Sequence, residues 1–99
     1  MKLFDLVPVG EENSISRKEL AAIVGLSDRS LRLAIHKERR RGCQILANSD
    51  GGYFRPEHSR DTVRFIRSMR RRAAETAAVA DALEAALDEE SGQGRIGGA

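Results

Sequence analysis

The chain has 99 residues, of which 40% are hydrophobic and 32% are charged, and its formal net charge is +2 at pH 7. This length accommodates one small domain with an appendage and excludes a two-domain enzyme. No apolar run approaches the roughly 20 residues that a membrane span requires. Asp5 and Pro8 interrupt the apolar residues at the start, so we expect a cytoplasmic protein with no signal peptide and no membrane partner.

The small net charge conceals a strong separation of charge along the chain. Residues 14–72 carry 15 lysines and arginines against 6 aspartates and glutamates, which gives +9. Residues 1–13 carry −2 and residues 73–99 carry −5, so the three parts account for the net +2. A concentrated basic block favours a polyanionic partner, first of all nucleic acid.

Residues 13–25 carry the pattern of a short helix. Ser16, followed three residues later by Glu19, has the spacing of a capping box. Gly25 can adopt the left-handed conformation that ends a helix. We therefore predict a helix over about residues 17–24.

A second helix is predicted after a tight turn. Ser27 is placed to cap its start, and Gly42 supplies a stop after about Arg41. At 100° per residue, Leu31 and Ile35 share an apolar face. The opposite face is mostly basic and consists of Arg29, Leu33, His36 and Arg40. A basic helix held against another helix by a tight turn predicts a helix-turn-helix that enters the major groove of DNA.

The pattern after the second helix changes from helical to extended. Residues 43–47 are apolar-rich, residues 48–52 are dense in turn formers, and Tyr53 and Phe54 precede Pro56. We predict a β-hairpin here, with the two aromatic residues on opposite faces. Either one of them packs inward while the other is exposed, or both belong to the core.

A long helix over residues 57–90 is predicted next. Pro56 suits a first turn, and no glycine or proline follows it before the end of this range. Val63, Ile66 and Met69 lie on one apolar face, which we expect to pack on the preceding domain.

The long helix also carries a heptad-like series that is mostly alanine. Its members are Ile66, Met69, Ala73, Thr76, Ala80, Leu83 and Leu87. This series predicts a homodimer, since helix-turn-helix proteins commonly bind two half-sites as two-fold dimers. The alternative is a solvated single helix sustained by the helix propensity of alanine. We expect the glycine-rich residues 91–99 to be disordered.

Nine positions in residues 14–56 follow a recognisable order of helix, turn, helix and hairpin. They are Gly25, Ser27, Leu31, Ile35, Arg39, Gly42, Ile45, Gly52 and Tyr53. This order resembles the winged helix-turn-helix of the biotin-repressor N-terminal type. Glu38 departs from that pattern, in which an apolar residue is usual, so the last helical turn packs less firmly or Glu38 pairs with an arginine. Nothing after the hairpin resembles a ligase, and only the DNA-binding module carries over.

The resemblance implies a mainly α fold with a small β-hairpin wing. Residues 1–56 would form the winged helix-turn-helix, followed by the long helix over residues 57–90 and the tail at 91–99. In this family the wing usually contacts the flanking minor groove or phosphates, which would place Asn48, Ser49 and Arg55 near DNA.

We expect the second helix to supply two sets of DNA contacts. The set facing base edges in the major groove consists of Arg29, Ser30, Leu33, His36 and Arg40. The set that binds phosphates consists of Arg32, Lys37 and Arg41. Arg39 is either a further basic residue of this surface or a structural ion-pair partner.

The expected function is sequence-specific or structure-specific binding of double-stranded DNA. The protein would be a small transcriptional regulator or an accessory factor in replication or recombination, by analogy with small winged proteins of phages and prophages. The alternative is a protein-interaction module that docks an acidic partner through the same basic surfaces.

No enzyme is predicted. His36 and His58 have no accompanying nucleophile, carboxylate or metal constellation, and Cys43 adds no ligand spacing. The glycines of residues 92–97 match a dinucleotide fingerprint in spacing, but no strand precedes them and no helix can follow. We expect no cofactor, no metal and no small-molecule substrate.

Overall fold

The computed structural model describes residues 2–90. Short 3₁₀ helices at Leu3–Leu6 and Glu11–Asn13 precede strand β1 (Ile15–Ser16), helix α1 (Arg17–Val24), helix α2 (Asp28–Arg40), strand β2 (Leu46–Ala47), strand β3 (Gly52–Phe54) and helix α3 (Ser59–Glu90). The fold is mainly helical, with a small antiparallel sheet and a long helix after it, as the coarse fold class predicted. The chain divides into two compact units, the first ending at Phe65 and the second beginning at Ile66.

Helix α1 begins and ends where the sequence predicts. The Ser16 hydroxyl accepts a hydrogen bond from the Glu19 backbone N–H at 3.0 Å. The same hydroxyl donates a hydrogen bond to the Glu19 carboxylate at 3.2 Å. In a capping box, that carboxylate instead accepts a hydrogen bond from the backbone N–H of the capping serine. Gly25 has φ 71°, and its N–H and that of Leu26 both donate to the Ala21 carbonyl. These bonds give a carbonyl of the last helical turn its hydrogen-bond donors. They require the left-handed backbone conformation, which glycine adopts easily.

Helix α2 starts after a turn of residues 25–27. The Ser27 hydroxyl accepts from the Ser30 backbone N–H at 3.1 Å, so the predicted N-cap is confirmed. The helix ends at Arg40, with Arg41 as the C-cap and Gly42 at φ 95°. The predicted stop at this glycine is therefore confirmed within one residue.

The sheet has three strands in the order β1-β3-β2, all antiparallel. The β2–β3 pair is the predicted hairpin, with Ala47 opposite Tyr53. Strand β1 was not predicted, and it pairs Ile15 with Tyr53 from the other side. The central strand β3 is thus bonded on both edges.

Nine hydrophobic side chains of the described residues are buried. They are Leu3, Val7, Leu20, Leu31, Ile35, Ile45, Leu46, Tyr53 and Phe54. Both aromatic residues of β3 are among them, at 7% and 5% exposure, which confirms the second of the two alternatives for this pair. The buried residues all come from the first unit, and seven of them, all except Leu46 and Phe54, form one core cluster.

The segment before β1 joins this core. The Glu38 carboxylate accepts hydrogen bonds from the backbone N–H groups of Leu3 and Phe4 at 2.8 and 3.0 Å. These bonds attach the end of α2 to the first 3₁₀ helix, so the last turn of α2 is not loosely attached. Its charge caps the first 3₁₀ helix, 35 residues away in sequence.

Helix α3 begins at Ser59, two residues later than the predicted 57–90 boundary. The Asp61 carboxylate accepts from the backbone N–H groups of Glu57 and His58, both at 3.1 Å. These bonds satisfy the N–H groups of the two residues just before the helix, so its first turn begins after Pro56 and not at it.

The apolar face predicted to pack on the preceding domain is exposed. Val63, Ile66 and Met69 have exposed fractions of 45%, 40% and 43%. Every residue from Met69 to Glu90 is exposed as well. Helical periodicity places the three residues on one side of α3, and their packing on the preceding domain stays a prediction.

The predictions for residues 91–99, the disordered tail and the accidental fingerprint, lie outside the described residues. Between residues 2 and 90, no helix combines the length and the apolar character that crossing a membrane demands.

Candidate nucleic-acid interface

Helix α2 has two chemically distinct faces. Leu31 and Ile35 are 0% and 2% exposed and pack into the core. The residues predicted to contact base edges are all exposed; Arg29, Leu33, His36 and Arg40 were predicted for the opposite face, and Ser30 lies beside it. The structure therefore brings the predicted base-contacting set together on one accessible surface, the recognition face.

Leu33 is the one apolar side chain of the recognition face. It is 59% exposed, between the turns that carry Arg29 and His36. An exposed leucine by itself is common on protein surfaces. Among cations on a convex helix, it also supplies an apolar group of the kind that contacts a thymine methyl.

The cations of the recognition face are available to a partner. Neither Arg29 nor Arg40 is in an ion pair with another described residue, and the same holds for Lys37 on the flank. All three side chains are exposed. Their positive charges therefore form no ion pair with the described residues and can contact a negatively charged partner.

Asp28 organises the first turn of α2. Its carboxylate is 2.6 Å from Arg17 Nε on α1, and 3.8 Å from an Arg32 guanidinium nitrogen one turn along α2. The negative charge of Asp28 raises the pKa of Arg17 above its ordinary value. Sequence reasoning missed this link between the two helices, since nothing local pairs Arg17 with Asp28. Arg32, predicted to bind phosphate, is exposed and has an acidic neighbour.

The hairpin tip presents Ser49 and Asp50 to solvent, whereas Asn48 is half-buried. The Asn48 Oδ1 atom accepts from the backbone N–H groups of Asp50 and Gly52, and its Nδ2 group donates to the Ser14 hydroxyl. Asn48 therefore shapes the turn and attaches it to the segment before β1. Of the two predicted contacts at the tip, Ser49 has the exposed side chain.

Arg55 is partly committed to the fold. Its Nε donates to the Val7 carbonyl at 2.6 Å, and its guanidinium lies 5.0 Å from the centre of the Phe4 ring. With Arg41, Arg55 lines an open cleft of about 480 Å³ next to Lys2. Arg41, a predicted phosphate contact, and Arg55, a predicted wing contact, thus line the same cleft at the end of α2.

Arg39 contacts a backbone carbonyl and two aromatic rings of the first unit. Its Nε donates to the Ile45 carbonyl at 2.7 Å. Its guanidinium lies over two rings, 5.0 Å from the centre of Phe65 and 6.0 Å from that of Tyr53. A flat, delocalised cation suits this position because it can stack and donate at once. Arg39 therefore belongs with the core and not with the recognition face.

No group of three or more potential metal ligands occurs among residues 2–90. Comparisons of the chain with protein-family models, with curated proteins and with solved structures found no match. The case for a function consequently depends on the geometry of α2 and its surroundings.

Proposed function

We propose that the protein binds double-stranded DNA as a winged helix-turn-helix, with α2 as the recognition helix and the β2–β3 hairpin as the wing. The observation that carries this proposal is the division of α2 into a buried apolar face and an exposed face with cations unpaired within the described fold. Two capped helices joined by a three-residue turn, followed by a hairpin, support the same arrangement.

The size of α2 suits the major groove. An α-helix with side chains is about 10–12 Å wide, and the groove is about 12 Å wide. The 13 residues of α2 extend over roughly 20 Å, enough to follow several base pairs. In this position Arg29 and Arg40 reach guanine edges, Ser30 and His36 supply further hydrogen bonds, and Leu33 contacts a thymine methyl.

Phosphate contacts fix the orientation of α2 in the groove. Arg32, Lys37 and Arg41 are exposed on its flanks and supply these contacts. Ser49 at the hairpin tip and Arg55 at its end contribute from the wing. The protein acts as a small regulator of transcription or as an accessory factor in replication or recombination.

Substitutions separate base reading from general attraction to DNA. After selection of a preferred site, Arg40→Ala weakens binding to that site by about 1–3 kcal/mol and leaves binding to unrelated duplexes less affected. Lys37→Ala weakens binding to all duplexes alike. Arg64→Ala is the control on α3, because it also removes one exposed positive charge, one that lies 3.9 Å from the Asp61 carboxylate.

Fluorescence anisotropy of labelled duplexes measures each of these affinities. Equal losses on every duplex for Arg40→Ala and Lys37→Ala would contradict base reading by α2. If Arg64→Ala lowers the affinity for the preferred site as much as Arg40→Ala does, the protein binds DNA through its overall positive charge and not through α2. If no variant and no duplex binds, the exposed cations serve an acidic protein partner instead.

A further inference from the structure

The charges of helix α3 are separated into two halves. Residues 59–72 contain six arginines and one aspartate, and residues 73–90 contain six aspartates and glutamates with no lysine or arginine. All six arginines and all six acidic residues of the second half are exposed. One exposed helix therefore carries a basic half followed by an acidic half.

An apolar seam runs along the same helix. We define the α3 seam as the series with heptad spacing at Ile66, Met69, Ala73, Thr76, Ala80, Leu83 and Leu87. Each of these residues is exposed, and Leu83 and Leu87 have exposed fractions of 66% and 50%. Large apolar residues occupy its ends and small residues its middle.

We propose that the α3 seam binds the α3 seam of a second copy of this chain in antiparallel orientation. A parallel pair would place six arginines beside six arginines and six carboxylates beside six carboxylates, which is repulsive along its whole length. An antiparallel pair places each basic half beside an acidic half. It also opposes the two helix dipoles, so the acidic end of one helix meets the positive end of the other.

The seam residues define a register for this pair. In an antiparallel pair an a position of one helix faces a d position of the other. Ile66 then faces Leu83 of the second copy, and Met69 faces its Ala80. At the centre, Ala73 faces Thr76. Ile66 and Leu83 are the large pair at each end, Leu87 beyond them faces Thr62, and the small central pair allows the two backbones to approach closely.

Disulfide cross-linking tests the orientation and the register. In a Cys43→Ser background, which removes the one native cysteine, Met69→Cys and Ala80→Cys are prepared as separate full-length variants. In the proposed dimer, residues 69 and 80 of opposite copies lie within disulfide distance, whereas each lies far from its own equivalent. A mixture of the two variants therefore oxidises to a cross-linked dimer, and neither variant does so alone.

Ala78→Cys is the matched control, because it places a thiol on the same exposed helix but outside the seam. It should form no cross-link alone or mixed with either variant. Cross-linking of Met69→Cys alone and Ala80→Cys alone would demonstrate a parallel pair and overturn the orientation. A mixture that forms no cross-link, with helix content unchanged by circular dichroism, would overturn the register.

Sedimentation of the unmodified full chain tests the association itself. Because the proposed contact joins opposite charges, its dissociation constant should rise with salt, by about tenfold between 50 and 500 mM. A monomer at all concentrations up to about 100 µM in low salt would overturn the proposal. Neither experiment contains DNA, so failure of the proposed DNA binding and failure of this dimer are separate results.

Discussion

The two units of the chain are stabilised in different ways. The first, which ends at Phe65, has nine buried side chains, seven of which form one core cluster, and three capped helix starts. In the second, no described residue is buried, and α3 continues as a single exposed helix in which eight of residues 73–90 are alanine. Intrinsic helix propensity sustains the second region, whereas burial specifies the first.

The largest expected effect comes from the core of the first unit. Leu31 is fully buried, and Leu31→Ala should destabilise that unit by about 2–5 kcal/mol. Val79→Ala on α3, at 58% exposure and outside the seam, should change stability by no more than about 0.5 kcal/mol. Urea unfolding is followed by the fluorescence of Tyr53, the single tyrosine, for the first unit and by circular dichroism for the helix content of α3. Equal effects would contradict the distinction between the two regions.

Arg39 provides a sharper test of what holds the first unit together. Arg39→Lys keeps the charge but loses the planar group that stacks on Phe65 and Tyr53 while bonding the Ile45 carbonyl. We expect a loss of about 1–2 kcal/mol in unfolding free energy. Arg40→Lys, one residue on and exposed, should leave stability unchanged in the same urea experiment. A neutral Arg39→Lys would show that only its charge matters.

Loss of the α2 cap should have a smaller effect. Ser27→Ala removes the acceptor for the Ser30 N–H and should lower stability by about 1 kcal/mol. Ser49→Ala, at the exposed hairpin tip, serves as the control and should be neutral. Thermal unfolding monitored by Tyr53 compares the two. An equal fall in melting temperature for both variants would contradict a stabilising role of the Ser27 cap.

The smallest effect concerns acid and the start of α3. The His58 backbone N–H, aided by the Glu57 N–H and by Arg64, lowers the pKa of Asp61. The folded state therefore binds this proton less readily than the unfolded chain. The ionised Asp61 therefore contributes its full stabilisation at pH values above the ordinary carboxyl pKa. This stabilisation is lost as the pH falls through the lowered pKa of Asp61 in the folded state. Circular dichroism measures the helix content of the native chain and of Asp61→Asn between pH 7 and 2. The helix content should fall less on acidification in Asp61→Asn than in the native chain.

Helices α1 and α2 were predictable because their boundaries depend on neighbours in sequence. Ser16, Gly25 and Ser27 act on residues no more than five positions away. Strand β1 was not predictable, since its two residues form a strand only through pairing with Tyr53, far along the chain. The attachment of the first 3₁₀ helix likewise depends on Glu38, 35 residues from its partner Leu3.

The candidate site divides in the same way. The exposed face of α2 followed from helical periodicity, which needs no knowledge of distant contacts. The internal bonds of Asn48 and Arg55 depend on Ser14 and Val7, and no local pattern indicates them. Periodicity identifies an apolar face, but it does not determine what covers that face.

The most direct test of the central claim is anisotropy of a labelled random-sequence duplex, titrated with the full chain at several salt concentrations. DNA binding through Arg32, Lys37 and Arg41 predicts that the logarithm of affinity falls linearly with the logarithm of salt, with a slope of about −3 for each bound chain. The absence of binding at low salt, or an affinity that salt does not change, would contradict the account of α2 as a recognition helix.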